Sequence, residues 1–132
     1  MTLKRTALAI LILASCFLTI AATKADKKTM KAVENIMKRM KTPEKEMNAL
    51  ERKNLLKSSK FKTYARKLAA DSKAMLRIKH PDKDFNDIAK DLDAEMKKLL
   101  DAINKNDYKK IKDAWKESKS LCAECHDIYK DL

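Results

Sequence analysis

Two cysteines and a histidine near the C-terminus are the residues of this sequence best suited to chemistry. Cys122 and Cys125 are three residues apart, and His126 directly follows the second thiol. This Cys-x-x-Cys-His pattern is typical of the covalent attachment of a c-type haem. If the segment is helical, all three residues share one face, because successive residues are rotated by about 100°. The thiols can then form thioethers along one edge of a porphyrin while the imidazole reaches the iron.

A Cys-x-x-Cys pair alone is less specific, because thioredoxin-like redox sites and zinc half-sites share it. A zinc site needs about four ligands, and outside the motif the chain offers only His80 and Cys16. A thioredoxin-like site places its cysteines at a helix N-terminus that follows a strand, whereas this motif lies near the end of a predicted helix. The pattern favours haem attachment, and a thiol-disulfide oxidoreductase is the alternative from a different functional class.

The N-terminus has the composition of a secretory signal peptide. Two basic residues precede an apolar run that is short for a membrane span and then becomes abruptly polar. We predict a signal peptide over residues 1–25, cleaved near Ala22 or Ala25, and a periplasmic domain over residues 26–132. A lipoprotein-like box ends at Cys16, but the apolar run continues past it, so lipid anchoring is the weaker alternative. Export agrees with haem attachment, which takes place outside the bacterial cytoplasm.

The composition predicts an all-α protein. The chain has no Gly, two Pro and 5% aromatic residues, whereas hairpins and barrels need Gly-rich turns and β-branched strands. Four stretches carry apolar residues at helical spacing: 26–41, 61–78, 85–103 and 107–129. Residues 44–57, after Thr42-Pro43, are either a short helix or a kinked continuation of the first. Short connections predict an antiparallel up-down-up-down four-helix bundle with a C-terminal haem-attachment helix.

The formal net charge of +12 indicates what kind of partner the chain could bind. Removal of residues 1–25 takes away three basic residues and no acidic ones, which leaves +9. The positive charge is spread along the sequence without a compact basic patch interleaved with aromatics, so nucleic-acid binding is not predicted. The charge predicts solvated basic helices and steering toward an acidic redox partner. We predict no enzyme, since no acid-base pair, nucleophile-base arrangement or phosphate-binding loop is visible.

The residues that follow the motif add a family resemblance. An acidic residue, a spacer, an aromatic and a basic residue stand at Asp127, Ile128, Tyr129 and Lys130. The C-terminus therefore resembles the class II cytochromes c, which comprise cytochrome c′ and its low-spin relatives. Lys130 replaces the usual Arg, and a Trp and a Gly common between the second and third helices are absent. The resemblance implies a four-helix bundle with one covalent haem c.

In this family the first helix determines the function. An apolar residue there leaves the iron five-coordinate and open to nitric oxide or carbon monoxide, while methionine closes the site for electron transfer. The family's spacing to the Thr-Pro places Met30 at this position, with His126 as the proximal ligand. We predict one-electron transfer by a His/Met-ligated haem, with five-coordinate gas binding as the alternative. The resemblance also includes dimers formed through the first two helices.

Two other assignments stay open for the sixth ligand. Met30 could be a core residue only, as we expect for Met37 and Met40, because Met commonly fills gaps in cores. His80 lies in the connection that reaches the same pole of the bundle as His126. Bis-histidine ligation is therefore a further alternative.

Overall fold

The structure, a computed structural model, describes residues 25–129. Within this range the chain forms four helices: α1 (Lys27–Arg52), α2 (Ser59–Leu76), α3 (Lys83–Asn104) and α4 (Tyr108–Ile128). The predicted all-α four-helix bundle is confirmed. The predicted leader up to residue 24, with Ala22 and Cys16, lies outside the described residues, as does Lys130. Among the four helices, none combines the length and the apolar composition that crossing a membrane requires.

Helix α1 is continuous for 26 residues and contains Pro43 in its interior. Thr42-Pro43 therefore does not start a new helix, and residues up to Arg52 continue the first one. An interior proline removes one backbone hydrogen bond and costs about 3 kcal/mol. Burial outweighs this cost, because Met40 before the proline and Met47 after it are both buried on the same side of α1.

Capping residues set the start of each helix. The side chains of Asp26, Ser58, Asp82 and Asp107 each accept a hydrogen bond from a backbone N–H in the first turn. Asn106, between α3 and α4, has a φ of 55°, which Asn tolerates better than most residues other than glycine. A glycine commonly occupies such a left-handed position after a helix, and Asn106 takes that position here.

The core follows the predicted apolar stripes of α2, α3 and α4. Phe61, Leu68, Met96 and Trp115 are completely buried. The rings of Phe61 and Trp115 meet edge to face, with centroids 6.1 Å apart, an arrangement that aromatic pairs prefer. These contacts join α2 to α4 across the bundle and fix the position of α4 along the bundle axis.

Helices α1 and α4 are held apart over most of their length. Helix α1 packs on α2, α2 on α3 and α3 on α4, but the described parts of α1 and α4 make no close backbone approach. One side-chain link joins them: Glu51 accepts hydrogen bonds from Trp115 Nε1 at 3.2 Å and from Lys119 Nζ at 2.6 Å. Beyond this link, toward the C-terminal end of α4, space remains between the two helices.

Candidate functional site

A cavity of about 500 Å³ occupies the space between α1 and α4. All four helices contribute to its walls, and its size lies within the usual range of small-molecule sites. The walls supplied by α2 and α3 are apolar: Leu68, Met75, Phe85, Ile88, Ala89 and Leu92. The cavity therefore offers an apolar environment that a large, mostly hydrophobic cofactor requires.

Helix α4 directs its chemical groups into this cavity. Cys122, Cys125 and His126 all line it, as expected from their shared helix face. Both thiols are free and half-buried, and His126 lies in the last turn of α4 and is exposed. The structure thus brings together the three residues on which the haem prediction rests.

The environment of the thiols makes them poor redox nucleophiles. Burial, followed by the carboxylate of Glu44 and then the neighbouring Cys125, raises the pKa of Cys122 to about 12. Burial, followed by Glu124, also raises the pKa of Cys125. Thiol-disulfide enzymes need a lowered thiol pKa. The electrostatics of this site are therefore opposite to those that a thiol-disulfide oxidoreductase needs.

Helix α1 presents two methionines from the opposite wall. Met37 and Met40 line the cavity, and Met40 is 8% exposed. Charged side chains at Glu34, Lys38, Lys41 and Glu44 complete the α1 wall. Both methionines were expected to be core residues, and Met40 does belong to the hydrophobic core, with Met37 packed against it. Both residues also line the cavity that α4 lines with two thiols and an imidazole.

The register between α1 and α4 brings the methionines of the cavity wall toward His126. Glu51 accepts hydrogen bonds from Trp115 and Lys119, and the carboxylate of Glu44 contributes to the raised pKa of Cys122. Because Trp115 and Lys119 are one turn apart, these contacts define the antiparallel register to within about one turn. One further turn along both helices from Glu44 and Cys122 leads to Met40 and His126.

The predicted sixth ligand, Met30, is not among the residues that line the cavity. It lies ten residues before Met40 on α1, which is about 15 Å along the helix axis. The structure therefore does not bring Met30 together with His126. The sequence predicted a first helix that ends near residue 41, with Met30 at the same pole of the bundle as His126. Helix α1 instead extends to Arg52, and the cavity lies correspondingly farther along this helix.

His80 lies beside the site rather than in its walls. Its ring is 8% exposed and stacks on Phe85 with centroids 4.3 Å apart. Its Nδ1 accepts the backbone N–H of Asp82 at 3.1 Å, and its buried Nε2 has no protein partner among the described residues. Tyr129 donates a hydrogen bond to Asp82 at 2.6 Å and contacts both rings. His80, Asp82, Phe85 and Tyr129, here called the His80 cluster, thus link the α2–α3 connection to the end of α4.

The His80 cluster predicts a specific dependence of stability on pH. Burial lowers the pKa of His80 in the folded protein, so below pH about 6.5 the unfolded chain binds a proton more readily than the folded one. The free energy of unfolding should fall as the pH decreases from about 6.5 toward the folded pKa of His80. Denaturant titrations between pH 5 and pH 8 measure this slope.

Replacing His80 by Gln separates this effect from the loss of packing. His80→Gln should reduce stability at every pH, because the stacking on Phe85 is lost, and should also remove most of the slope below pH 6.5. A variant that keeps the wild-type slope would assign the titration to another group. At lower pH a second loss is expected as Asp82 is protonated, since the hydrogen bond from Tyr129 lowers the pKa of that carboxylate.

The residues around the cavity fit a c-type haem. Two thiols and an imidazole lie on one helix face, two methionines line the α1 wall, and the walls supplied by α2 and α3 are apolar. When bound, a haem supplies an iron that changes oxidation state by one electron. Bis-histidine ligation receives no support from this geometry, because His80 is not among the lining residues.

Comparisons with known proteins give one match. No curated protein and no solved structure matches the chain significantly. The family model described as Cytochrome C' matches residues 19–130, which include all four helices and the Cys-x-x-Cys-His motif. The chain therefore belongs to the cytochrome c′ family, a family of c-type haem cytochromes.

Proposed function

We propose that this chain is an exported electron-transfer cytochrome that carries one covalent haem. Cys122 and Cys125 form the thioethers, and His126 is the proximal ligand of the iron. The observation that carries this proposal is that α4 presents these three groups to the same apolar cavity. The spacing of the motif residues is compatible with haem attachment, and the cavity provides volume for the haem.

The sixth ligand in this proposal is Met40. Three observations support this assignment: Met40 is buried, it lines the cavity, and it lies within about one turn of the level of His126 in the antiparallel register of α1 and α4. Met37 is three residues away on the same wall and is the neighbouring candidate. A His/Met ligand pair raises the reduction potential of a haem relative to bis-histidine ligation, which suits a protein that accepts and donates single electrons.

The apolar walls and the α1 side chains have different roles in electron transfer. Leu68, Ile88 and Leu92 exclude water from the cavity, which keeps the polarity around the iron low. Met40 blocks the remaining coordination position against small gases. Five-coordinate binding of nitric oxide or carbon monoxide is the second function that the family resemblance allows, and it requires that Met40 stay away from the iron.

Export to the periplasm is part of the proposal. It is supported by the signal-peptide pattern of residues 1–25 and by the need to attach a c-type haem outside the cytoplasm. N-terminal sequencing of the exported protein should find a start near Lys24 or Asp26, following cleavage near Ala22 or Ala25. A diacylated chain that begins at Cys16 would instead make the protein membrane-tethered.

Covalent attachment is tested by extraction of the purified protein with acid acetone. We expect the haem to stay with the polypeptide, because two thioether bonds resist this treatment, and the intact mass to exceed that of the mature chain by one haem. Cys122→Ala and Cys125→Ala serve as matched variants that each keep one thioether. Haem that leaves the wild-type chain, or a mass without haem, would refute the proposal.

A further inference from the structure

Charge is distributed unequally between the two halves of this bundle. The α1–α2 half, residues 27–76, contains 15 Lys and Arg and 5 Asp and Glu, a net charge of +10. The α3–α4 half, residues 83–128, contains 10 basic and 11 acidic residues, a net charge of −1. The net positive charge is therefore confined in space to the α1–α2 side of the molecule, although basic residues occur along the whole mature sequence.

Ion pairing increases this difference. In the α3–α4 half, seven of the ten lysines form an ion pair with a carboxylate. In the α1–α2 half, only Lys38 and Arg39 do so among the described residues. All but Lys62 of the fifteen basic residues in the α1–α2 half are exposed. We call the exposed Lys and Arg of residues 27–76 the basic face.

We propose that the basic face is the docking surface for an acidic protein. Among the described residues, twelve of the fourteen cations of the basic face have no ion-pair partner. They create a positive potential that attracts a complementary surface and speeds its association. Lys38 and Lys41 belong to this face and also border the cavity between α1 and α4. A partner bound here would therefore lie next to the candidate haem site.

The shape of the basic face favours a protein as its binding partner. A depression of about 420 Å³ between α1 and α2 is lined by Arg39, Tyr64, Lys67 and Asp71, among others. Arg39 forms an ion pair with Asp71, whereas Lys67, whose ammonium lies 5.7 Å from the centroid of the Tyr64 ring, has no carboxylate partner among the described residues. An acidic side chain that protrudes from the partner would pair with Lys67 at the edge of this depression.

Two other binding partners of the basic face, a second copy of the chain and a lipid surface, agree less well with the structure. A second copy of the chain would place one surface of charge +10 against another, and like charges in contact are unfavourable. A lipid surface is usually bound by a helix that also buries apolar side chains. The large exposed hydrophobic residues within residues 27–76 are Leu55 and Leu76, at 45% and 38% exposure. Leu55 lies in the connection between α1 and α2, and Leu76 is the last residue of α2.

The test compares two variants of the haem-loaded protein that change the net charge equally. In the first, Lys31→Glu, Lys45→Glu and Arg66→Glu reverse three charges of the basic face. In the second, Lys90→Glu, Lys112→Glu and Lys116→Glu reverse three charges of the α3–α4 half. All six residues are exposed and form no ion pair among the described residues. Calorimetric titration with poly-L-glutamate near 0.15 M salt measures binding to an acidic polypeptide.

We expect the basic-face variant to bind poly-L-glutamate at least about tenfold more weakly than wild type, and the control variant to lose less than about threefold. Equal losses would show that net charge alone matters and would overturn the proposal. Preferential binding to phosphatidylglycerol vesicles, lost in the basic-face variant, would assign the face to a membrane and overturn it as well. So would a wild-type dimer in sedimentation analysis that the basic-face variant dissociates.

Two precautions keep the outcome interpretable. Far-UV circular dichroism checks that each variant folds, and Gln in place of Glu at the same six positions replaces any variant that does not. The proposal goes beyond the electron-transfer function and is independent of its test. Absence of covalent haem from the spectrum of the same samples would refute the proposed function, while the binding comparison would still decide the role of the basic face.

Discussion

Met40→Leu should change the oxidised haem-loaded protein from low spin to high spin and should allow the reduced form to bind carbon monoxide. Leu has nearly the volume of Met, so the substitution should cost less than about 1.5 kcal/mol of stability. It removes the sulfur of the buried methionine in the wall that faces His126. Visible spectra of both oxidation states, together with the near-infrared charge-transfer band of methionine-ligated ferric haem, measure the effect.

Two other methionines of α1 provide matched controls for this substitution. Met30→Leu removes a sulfur on the same helix that does not line the cavity, so the spectra should stay those of wild type. Met37→Leu removes the second sulfur that does line the cavity, and should leave the iron low spin. If Met37→Leu alone produces the high-spin spectrum, Met37 is the ligand. If Met30→Leu does so, the assignment from the sequence is correct and our register argument is wrong.

The wild-type spectrum itself separates the two functions of the family. A high-spin protein that binds carbon monoxide without any substitution would mean that Met40 only packs against the cavity. The five-coordinate, gas-binding function would then replace electron transfer. The structure is compatible with a closed site because Met40 is buried within the wall that faces His126.

Local signals made much of the fold predictable from the sequence. Asp26 and Asp107 cap helices at the first residues of two predicted stretches, and Asp82 caps α3 just before another. The stripe of α3 is buried almost as predicted. The shared helix face of Cys122, Cys125 and His126 could be predicted equally well, since the spacing of these residues on one helix determines it. These features depend on residues within a few positions of each other, which the sequence shows directly.

The position of Met40 could not be read in the same way. It depends on the register between α1 and α4, which are separated by two other helices in the chain and are linked through Glu51. A proline normally marks a helix boundary, so the continuation of α1 through Pro43 was one of two options. The apolar spacing of Val33, Met40 and Met47, in steps of seven, would have favoured one continuous helix across the proline.

The division of charge between the halves of the bundle was also hidden from a linear reading. Lysines occur at similar density along the whole chain, but the carboxylates that neutralise them are concentrated in α3 and α4. Pairs such as Lys97 with Asp93 and Lys105 with Asp101 are four residues apart, and this spacing is visible in the sequence. Counting such pairs for each helix would have revealed the basic face.

Loss of haem is expected to cost this protein most of its fixed tertiary structure. Replacing Cys122 and Cys125 by Ser and His126 by Gln removes every haem-binding group that α4 offers. Without haem, the cavity of about 500 Å³ would fill with water, and exposure of its apolar walls costs about 25 cal/mol per Å² of apolar surface. The haem-free triple variant should therefore keep its helical far-UV signal but lose its near-UV signal and its cooperative thermal unfolding.

The single variant His126→Gln is the control that separates the filling of the cavity from ligation. It keeps both thioethers, so the haem stays in the cavity, and cooperative unfolding should be retained although the iron loses its proximal ligand. The reason lies in the arrangement of the bundle, in which α1 and α4 make no close backbone approach and are joined through Glu51. If the triple variant unfolds as cooperatively as the haem-loaded protein and at the same temperature, the helices alone stabilise the fold. The cavity would then be a preformed site that the haem fills without contributing to stability.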